Sequence, residues 1–486
     1  MKPPVTRHRR KLAALGVVLV LLALPAALHE GVSVGTRLHP PDVPVDVRRE
    51  VVENGIRRVG ASFVRTRAGV RAVTLAGSPE EIGAAQARLN YDKMVANEGV
   101  LWRDFAGFVP FSPARTLMMD LSRLRYRHVD QGFPDASRRE IAAEALAFQP
   151  DPFEETLPTY QRMVFLHSLY DIALSFEHSP LVGCSTFGLG PEATRDGHTL
   201  LARAFDFEAG DVFDREKAVY FVRGDGVIPF ASVAWPGLIG VMSGMNLEGV
   251  AVVVHGGRAR DASTTGEPVV LMLREVLERA HDTAEAVAIL ARQTVMVSHI
   301  VIVADAHGRF AVVERAPGVV PFVRDRFADP ARVGVTNHFE GPLAADPKNQ
   351  AVRASTSTLP RRARLDQLLA AVGPHEADVS RAVQMLRDHT CVGDDSCELG
   401  DRRAIDALIA THGIVADTTA RVLWVSAGPH LSGEFVRFDL VAELSPSGSP
   451  TVDEPAETIA ADPILRDGRY DRARAAHQRE RRGATP

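Results

Sequence analysis

The residues best suited to chemistry here are Cys184, Arg203 and Asp206. Cys184 lies in "LVGCSTFGLG" (Leu181 to Gly190), follows Gly183, and is one of three cysteines in 486 residues. A cysteine is a nucleophile when its surroundings favour the thiolate and a small core hydrophobe otherwise. Its own context fits either. Arg203 and Asp206 follow in "LLARAFDFE". Charges inside an apolar run need partners, because an unpaired buried charge is costly. Residues three apart on a regular strand point to opposite faces. Arg203 and Asp206 therefore converge on one site only if the strand ends or bends near Phe205. A structural ion pair at a strand end would also satisfy the pattern.

The elements that must position these residues change along the chain. Residues 31–60 read as a tether or an early strand, and Gly77 to about Phe176 is mainly helical. In "SPEEIGAAQARLNYDKMVA", Ser78 and Glu81 form a capping box. From Leu181 the pattern shifts to strands. "CSTFGL" and "LLARAFDF" form a hairpin around the Asp196-Gly197 turn. Short β-rich runs follow through "VAVVVHGG". Two helices then begin at "EPVVLMLREVLERA", with Pro268 near its start. The strands "SHIVIVADAHGRFAVVERA" and "RVGVTNHF", two more helices and two closing strands complete the body. Strands and helices in alternating blocks predict two sheets with helices packed on them, a layered α+β architecture. No internal repeat is visible. After Leu444 the Pro-, Ser- and charge-rich composition reads as a poorly ordered tail.

Hydrophobic residues make up 45% of the chain and the formal net charge is −5. That suits a large buried core and argues against a nucleic-acid partner, which calls for a basic face. The N-terminus is different. "RHRRK" (Arg7 to Lys11) precedes the apolar run Leu12 to Leu28, the pattern of an export signal or a signal anchor. The expectation is an exported body in the periplasm or cell envelope, either tethered to the membrane through residues 1–30 or secreted. In an oxidising compartment Cys391 and Cys397, in "CVGDDSC", would pair as a disulfide. A metal pair is the rival, but the loop offers no other soft ligand. Cys184 is then the odd thiol.

"GCSTFGL…DGHTLLARAFDF" resembles the first hairpin of cysteine N-terminal-nucleophile hydrolases. It is similar to the penicillin acyltransferase family (acyl-coenzyme A:6-aminopenicillanic acid acyltransferase-like) and, more distantly, to choloylglycine hydrolases and acid ceramidases. "LAGSPEEIGAAQ", "SGMNLEGVAVVV", "GVTNHF", "STLPRRARLDQLL" and "RVLWVSAGP…GEFVRFDL" resemble further segments of that family, in order, from about Gly77 to Leu440. The resemblance implies a four-layer αββα sandwich and a precursor that cuts itself between Gly183 and Cys184. Residues 31–183 would become one chain, and 184–443 the catalytic one, followed by the tail 444–486. The α-amine freed on Cys184 has an ordinary pKa of about 7.7–8.0 and would act as base to its own thiol.

By the same resemblance, Asp206 would hold the α-amine and Arg203 would favour the thiolate. Asn337 would donate to the developing oxyanion, and Arg361 would prop the site from a distance. Where relatives often carry asparagine, this chain has His255, which is either a second donor or an ordinary strand-end residue. Asn246, in "GMNLEG", reads as a turn residue. The implied activity is hydrolysis of a linear acyl-amide, with no cofactor and no metal. Its partners would be a small-molecule substrate and the cleaved N-terminal fragment. Acyl transfer to an amine, a papain-like pair of Cys184 with His338, and a catalytically dead membrane-tethered binding protein are the alternatives.

Overall fold

A computed structural model of the chain describes residues 23–46, 48–175, 182–207, 211–393, 397–445 and 451–483. Side chains alternate across a strand with a period of two, and both sheets use this to bury two faces. Val219, Phe221, Ala231, Val233, Ile300 and Ile302 of one sheet meet Leu201, Val335, Ile414, Val425, Val436 and Phe438 of the other in a core between them. The intervening residues of each sheet pack outward against helices. The result is a four-layer αββα sandwich.

The larger sheet has twelve strands. Its order runs from Val51–Glu53 through Ile56–Val59, Ser62–Arg67 and Val70–Gly77 to Ala218–Gly224, then Phe230–Ala234, Ser243–Asn246, Ala251–Gly256, His299–Ala304, Phe310–Arg315 and Phe322–Arg324. Asp453–Glu454 adds beside Ser62–Arg67. The smaller sheet orders Arg332–Val335, Val182–Leu189, Leu200–Phe207, Ala410–Asp417, Val422–Ser426, Phe435–Asp439 and Thr458–Ile459. Helices Pro79–Phe108, Asp135–Ala147, Val269–Arg279 and Thr283–Arg292 cover the larger sheet. Thr358–Ala370 and Val379–Leu386 cover the smaller one.

Two features differ from the sequence reading. The segment before Cys184 is not only helical, because four of its strands belong to the larger sheet. Val70–Gly77 pairs in parallel with Ala218–Gly224, so the Gly183/Cys184 boundary is not a structural one. The tail is also built into the fold over 451–483. Glu454 pairs with Arg65 at 2.8 Å, and Arg474, on the helix Arg469–Gly483, donates to the Leu408 carbonyl at 2.9 Å. Its charges have partners on the body, which composition does not reveal. Most of the apolar run Leu12–Leu28 lies outside the described residues. Among those described, no helix is long and apolar enough to cross a membrane.

Phe221 and Phe438 join the two sheets, with ring centroids 5.8 Å apart and both side chains fully buried. Phe438→Ala should therefore cost about 3–5 kcal/mol, read as a lower guanidinium midpoint. A midpoint within error of the unmodified protein would contradict this packing.

Candidate active site

Cys184 is fully buried on the strand Val182–Leu189 and is the free cysteine. Cys391 and Cys397 form a disulfide with Cα atoms 5.6 Å apart. Across the sheet Cys184 pairs with Phe205, Gly183 with Asp206, and Thr186 with Arg203. The Arg203 guanidinium reaches between the sheets. Its Nη2 lies 3.5 Å from Cys184 Sγ and also donates to the Val254 carbonyl. Its Nη1 donates to the Met242 carbonyl at 2.6 Å and to Ser243 Oγ. The face of Phe205 lies under it, 4.3 Å from Cζ to the ring centroid. Ser243 is held in turn by His412, Oγ to Nε2 2.9 Å.

Burial holds the thiol pKa above its ordinary value; Arg203, and less so Arg361, offset this only in part, while Asp206 adds to it. The fixed cation is thus what favours a thiolate in this dry setting.

The strand Leu200–Phe207 stays in register with Val182–Leu189 through Asp206 and Phe207, with no bend near Phe205; the register shift opposite it, between Ala410 and His412, belongs to the neighbouring strand. Asp206 lies against Gly183, where an added Cβ would come within 3.3 Å of Oδ2. Gly183 is not among the glycines with positive φ. Its use is the close approach of the carboxylate, rather than the strained backbone path that a Gly-Cys junction suggests.

Asn337 and Arg361 clamp the backbone of Cys184 directly. The Cys184 N–H donates to Asn337 Oδ1 at 2.7 Å, and Asn337 Nδ2 donates to the Gly256 carbonyl at 3.0 Å. Arg361, on the helix Thr358–Ala370, donates to the Cys184 carbonyl, to Ser185 Oγ at 3.1 Å and to Asn337 Oδ1 at 2.9 Å. It is not distant from the site, since three of its contacts are the nucleophile's residue and that residue's immediate partners.

Two histidines take other roles. His255 Nδ1 faces the Thr336 carbonyl at 3.2 Å, so its single proton belongs there, and Nε2 accepts from Thr186 Oγ1 at 2.6 Å. Both ring nitrogens are committed, which corrects the reading of His255 as an oxyanion donor. His338 Nδ1 lies 3.0 Å from Thr358 Oγ1, and its Nε2 faces Glu340 at 3.8 Å. It makes no cysteine–histidine pair of papain type. Asn246 closes its hairpin, with Oδ1 accepting from the Glu248 and Val250 N–H groups.

Sequence reasoning missed Ser243, His412 and Tyr170. Tyr170, on the helix Leu169–Leu174, brings its buried hydroxyl to 3.5 Å from where a Cβ on Gly256 would lie, and this hydroxyl has no hydrogen-bond partner among the described residues. Burial, and then the nearby Cys184, hold its pKa well above the ordinary value. The phenol stays a donor at neutral pH. No spacing in the sequence links residue 170 to residue 184, because the contact is made by a helix crossing the sheet end.

A cavity of about 110 Å³, partly open to solvent, has Tyr170, Phe205, Trp235 and Met242 in its wall. Phe205 is the cross-strand partner of Cys184, and the Met242 carbonyl is bound by Arg203.

The segment of residues 193–397 matches the acyl-coenzyme A:6-aminopenicillanic acid acyl-transferase family model. It contains Arg203, Asp206, His255, Asn337 and Arg361 and begins after Cys184. An uncharacterised protein of Archaeoglobus fulgidus is 28% identical over 182 residues, which are 35% of this chain and 30% of that relative's length.

Similar solved structures include a Caenorhabditis elegans ortholog of N-acylethanolamine-hydrolyzing acid amidase (TM-score 0.36, 16% identity, 49% of this chain and 93% of that one). Penicillin V acylase from Agrobacterium tumefaciens has a TM-score of 0.34, with 16% identity over 54% of this chain and 88% of that one. A conjugated bile acid hydrolase from Clostridium perfringens has a TM-score of 0.32, with 10% identity over 57% of this chain and 97% of that one.

The buried histidines dictate a pH response. Burial, then Arg203, pushes His255 and His412 well below their ordinary pKa, and burial lowers His167 to about 4 and His299 to about 3. The unfolded chain binds protons at these sites below about pH 6.5, before the folded chain does. The histidines' contribution to stability should therefore fall as the pH drops from about 6.5 towards 4, by up to about 1.4 kcal/mol per pH unit for each, against the opposite contribution of Asp171 and Glu267, which burial raises to about 7 and about 8. Urea midpoints of the unmodified protein and of His299→Gln across this range check it: the variant should lose less on acidification, and parallel profiles would contradict it.

Proposed function

We propose that the chain is a self-processing cysteine amidohydrolase that cleaves a linear acyl-amide through an acyl-enzyme on Cys184. The observation that carries this reading is the free buried thiol lying 3.5 Å from the Arg203 guanidinium, directly after a glycine that admits Asp206. In maturation Cys184 Sγ attacks the Gly183 carbonyl carbon. The C–S bond forms, the C–N bond breaks, and the thiol proton passes to the departing nitrogen. Water then cleaves the thioester and returns the thiol. The nitrogen freed is the one that bonds Asn337 Oδ1 at 2.7 Å in the intact chain, so the new α-amine starts with one acceptor in place and the Asp206 carboxylate beside it.

In turnover the α-amine takes the thiol proton and Arg203 stabilises the thiolate. The sulfur then adds to the substrate carbonyl. The second N–H of Asn337 Nδ2 and the Tyr170 hydroxyl are the neutral donors for the oxyanion; one such donor is typically worth about 10²–10³ in rate. The leaving amine takes the proton back from the α-amine, and water releases the acyl group. The two fragments stay together through the parallel pairing of Val70–Gly77 with Ala218–Gly224. Acyl transfer, with an amine in place of water, is the second reading, favoured by the description of the family that matches residues 193–397. We further propose that the protein is exported, on the strength of the basic and apolar run Arg7 to Leu28 and the Cys391–Cys397 disulfide.

Incubated with a panel of acyl-amides and quenched in acid, the protein should gain the mass of an acyl group on Cys184. Cys184→Ala should show neither adduct nor turnover, and Tyr170→Phe should lower kcat about 10²-fold or more with little change in KM. Full turnover by Cys184→Ala would overturn the assignment.

A further inference from the structure

The cavity walled by Tyr170 and Phe205 is apolar over most of its wall but carries a polar group with no partner among the described residues. The helix Pro79–Phe108 presents Met94, Asn97, Glu98 and Leu101 to it, the i, i+3, i+4, i+7 spacing of one helical face. Met94 and Leu101 are apolar. Glu98 is engaged, with its carboxylate 2.6 Å from Arg162 Nε and accepting from Trp102 Nε1 at 3.0 Å. Asn97 is only 5% exposed, and both its amide nitrogen and its carbonyl oxygen lack a hydrogen-bond partner among the described residues. A buried amide left without partners is rare and calls for an explanation.

The explanation lies in what the cavity holds. The donor Nδ2 and the acceptor Oδ1 together call for a group that both donates and accepts, which a hydroxyl does with one atom. A second amide would do the same with more polar surface, which the surrounding methionine, leucine and aromatic walls would leave unpaired. Tyr170, whose hydroxyl faces Gly256, and Asn97 stand on different helices of the cavity wall.

We propose that this cavity binds the acyl half of the substrate, and that this half is an apolar chain bearing a hydroxyl group away from its carbonyl, read by Asn97. The inference rests on the acyl-amide reading for the identity of the bound half, and it makes Asn97 a specificity-determining residue rather than a catalytic one.

The test separates binding from chemistry. Free fatty acids of equal length, with and without a mid-chain hydroxyl, are titrated calorimetrically into the mature protein and into the full-length Cys184→Ala chain. The matching acyl-amides are assayed for kcat/KM. The hydroxylated acid should bind about tenfold tighter or more, since a site built to hydrogen-bond a hydroxyl disfavours the analogue that lacks it. Asn97→Leu should abolish or reverse that preference while leaving cleavage at Gly183–Cys184 intact.

Equal or weaker binding of the hydroxylated acid across mid-chain positions would overturn the proposal, as would a preference that survives Asn97→Leu. The comparison of the two acids on the unmodified protein does not depend on whether the variant folds. A binding preference with neither amide turned over would support this inference and count against the amidase.

Discussion

A guanidinium buried between two sheets is the constraint on which the site depends. Arg203 leaves the smaller sheet and meets Met242, Ser243 and Val254 on the larger one. A cation in that position is tolerable only if fixed acceptors surround it. Two backbone carbonyls, a hydroxyl and the Phe205 ring do this and leave one edge for the Cys184 sulfur. Because the acceptors lie on both sheets, the separation and register of the sheets determine where the thiol finds its cation. The sandwich and the chemistry are one arrangement.

The peptide bond before Cys184 is held to similar precision. Asn337 takes the Cys184 N–H, Arg361 takes its carbonyl, and Asp206 lies against Gly183. Three elements contribute: the turn after Arg332–Val335, the helix Thr358–Ala370, and the open end of the hairpin. The groups that would orient a free α-amine are thus assembled around the amide that precedes it. Cleavage would change the bonding of one nitrogen with little rebuilding around it.

Much of this was legible from residue types. The hairpin around Asp196-Gly197 is in the structure, with Gly197 at φ 75°, and so is the capping box of Ser78 and Glu81. Turn and cap signals are local, so single residues carry them. Alternation alone called for an end or a bend near Phe205, but the strand runs on in register to Phe207, and the irregularity lies in the neighbouring strand at Ala410–His412. What could not be read was long-range and side-chain-specific. His255 looks like a donor until Thr336 and Thr186 are seen to occupy both its nitrogens. Tyr170, Ser243 and His412 sit in stretches that resemble ordinary core. The tail resembles a solvated extension until Arg65 and Arg67 are found facing Glu454.

The account turns on whether the Cys184 nitrogen is an amide or an amine in the working protein. The direct measurement is the intact mass of the active, non-reduced and reduced protein, with N-terminal sequencing of each fragment. The account predicts two pieces, the larger beginning at Cys184 and both retained together under native conditions. A fully active preparation in which the Gly183–Cys184 bond is closed would contradict it.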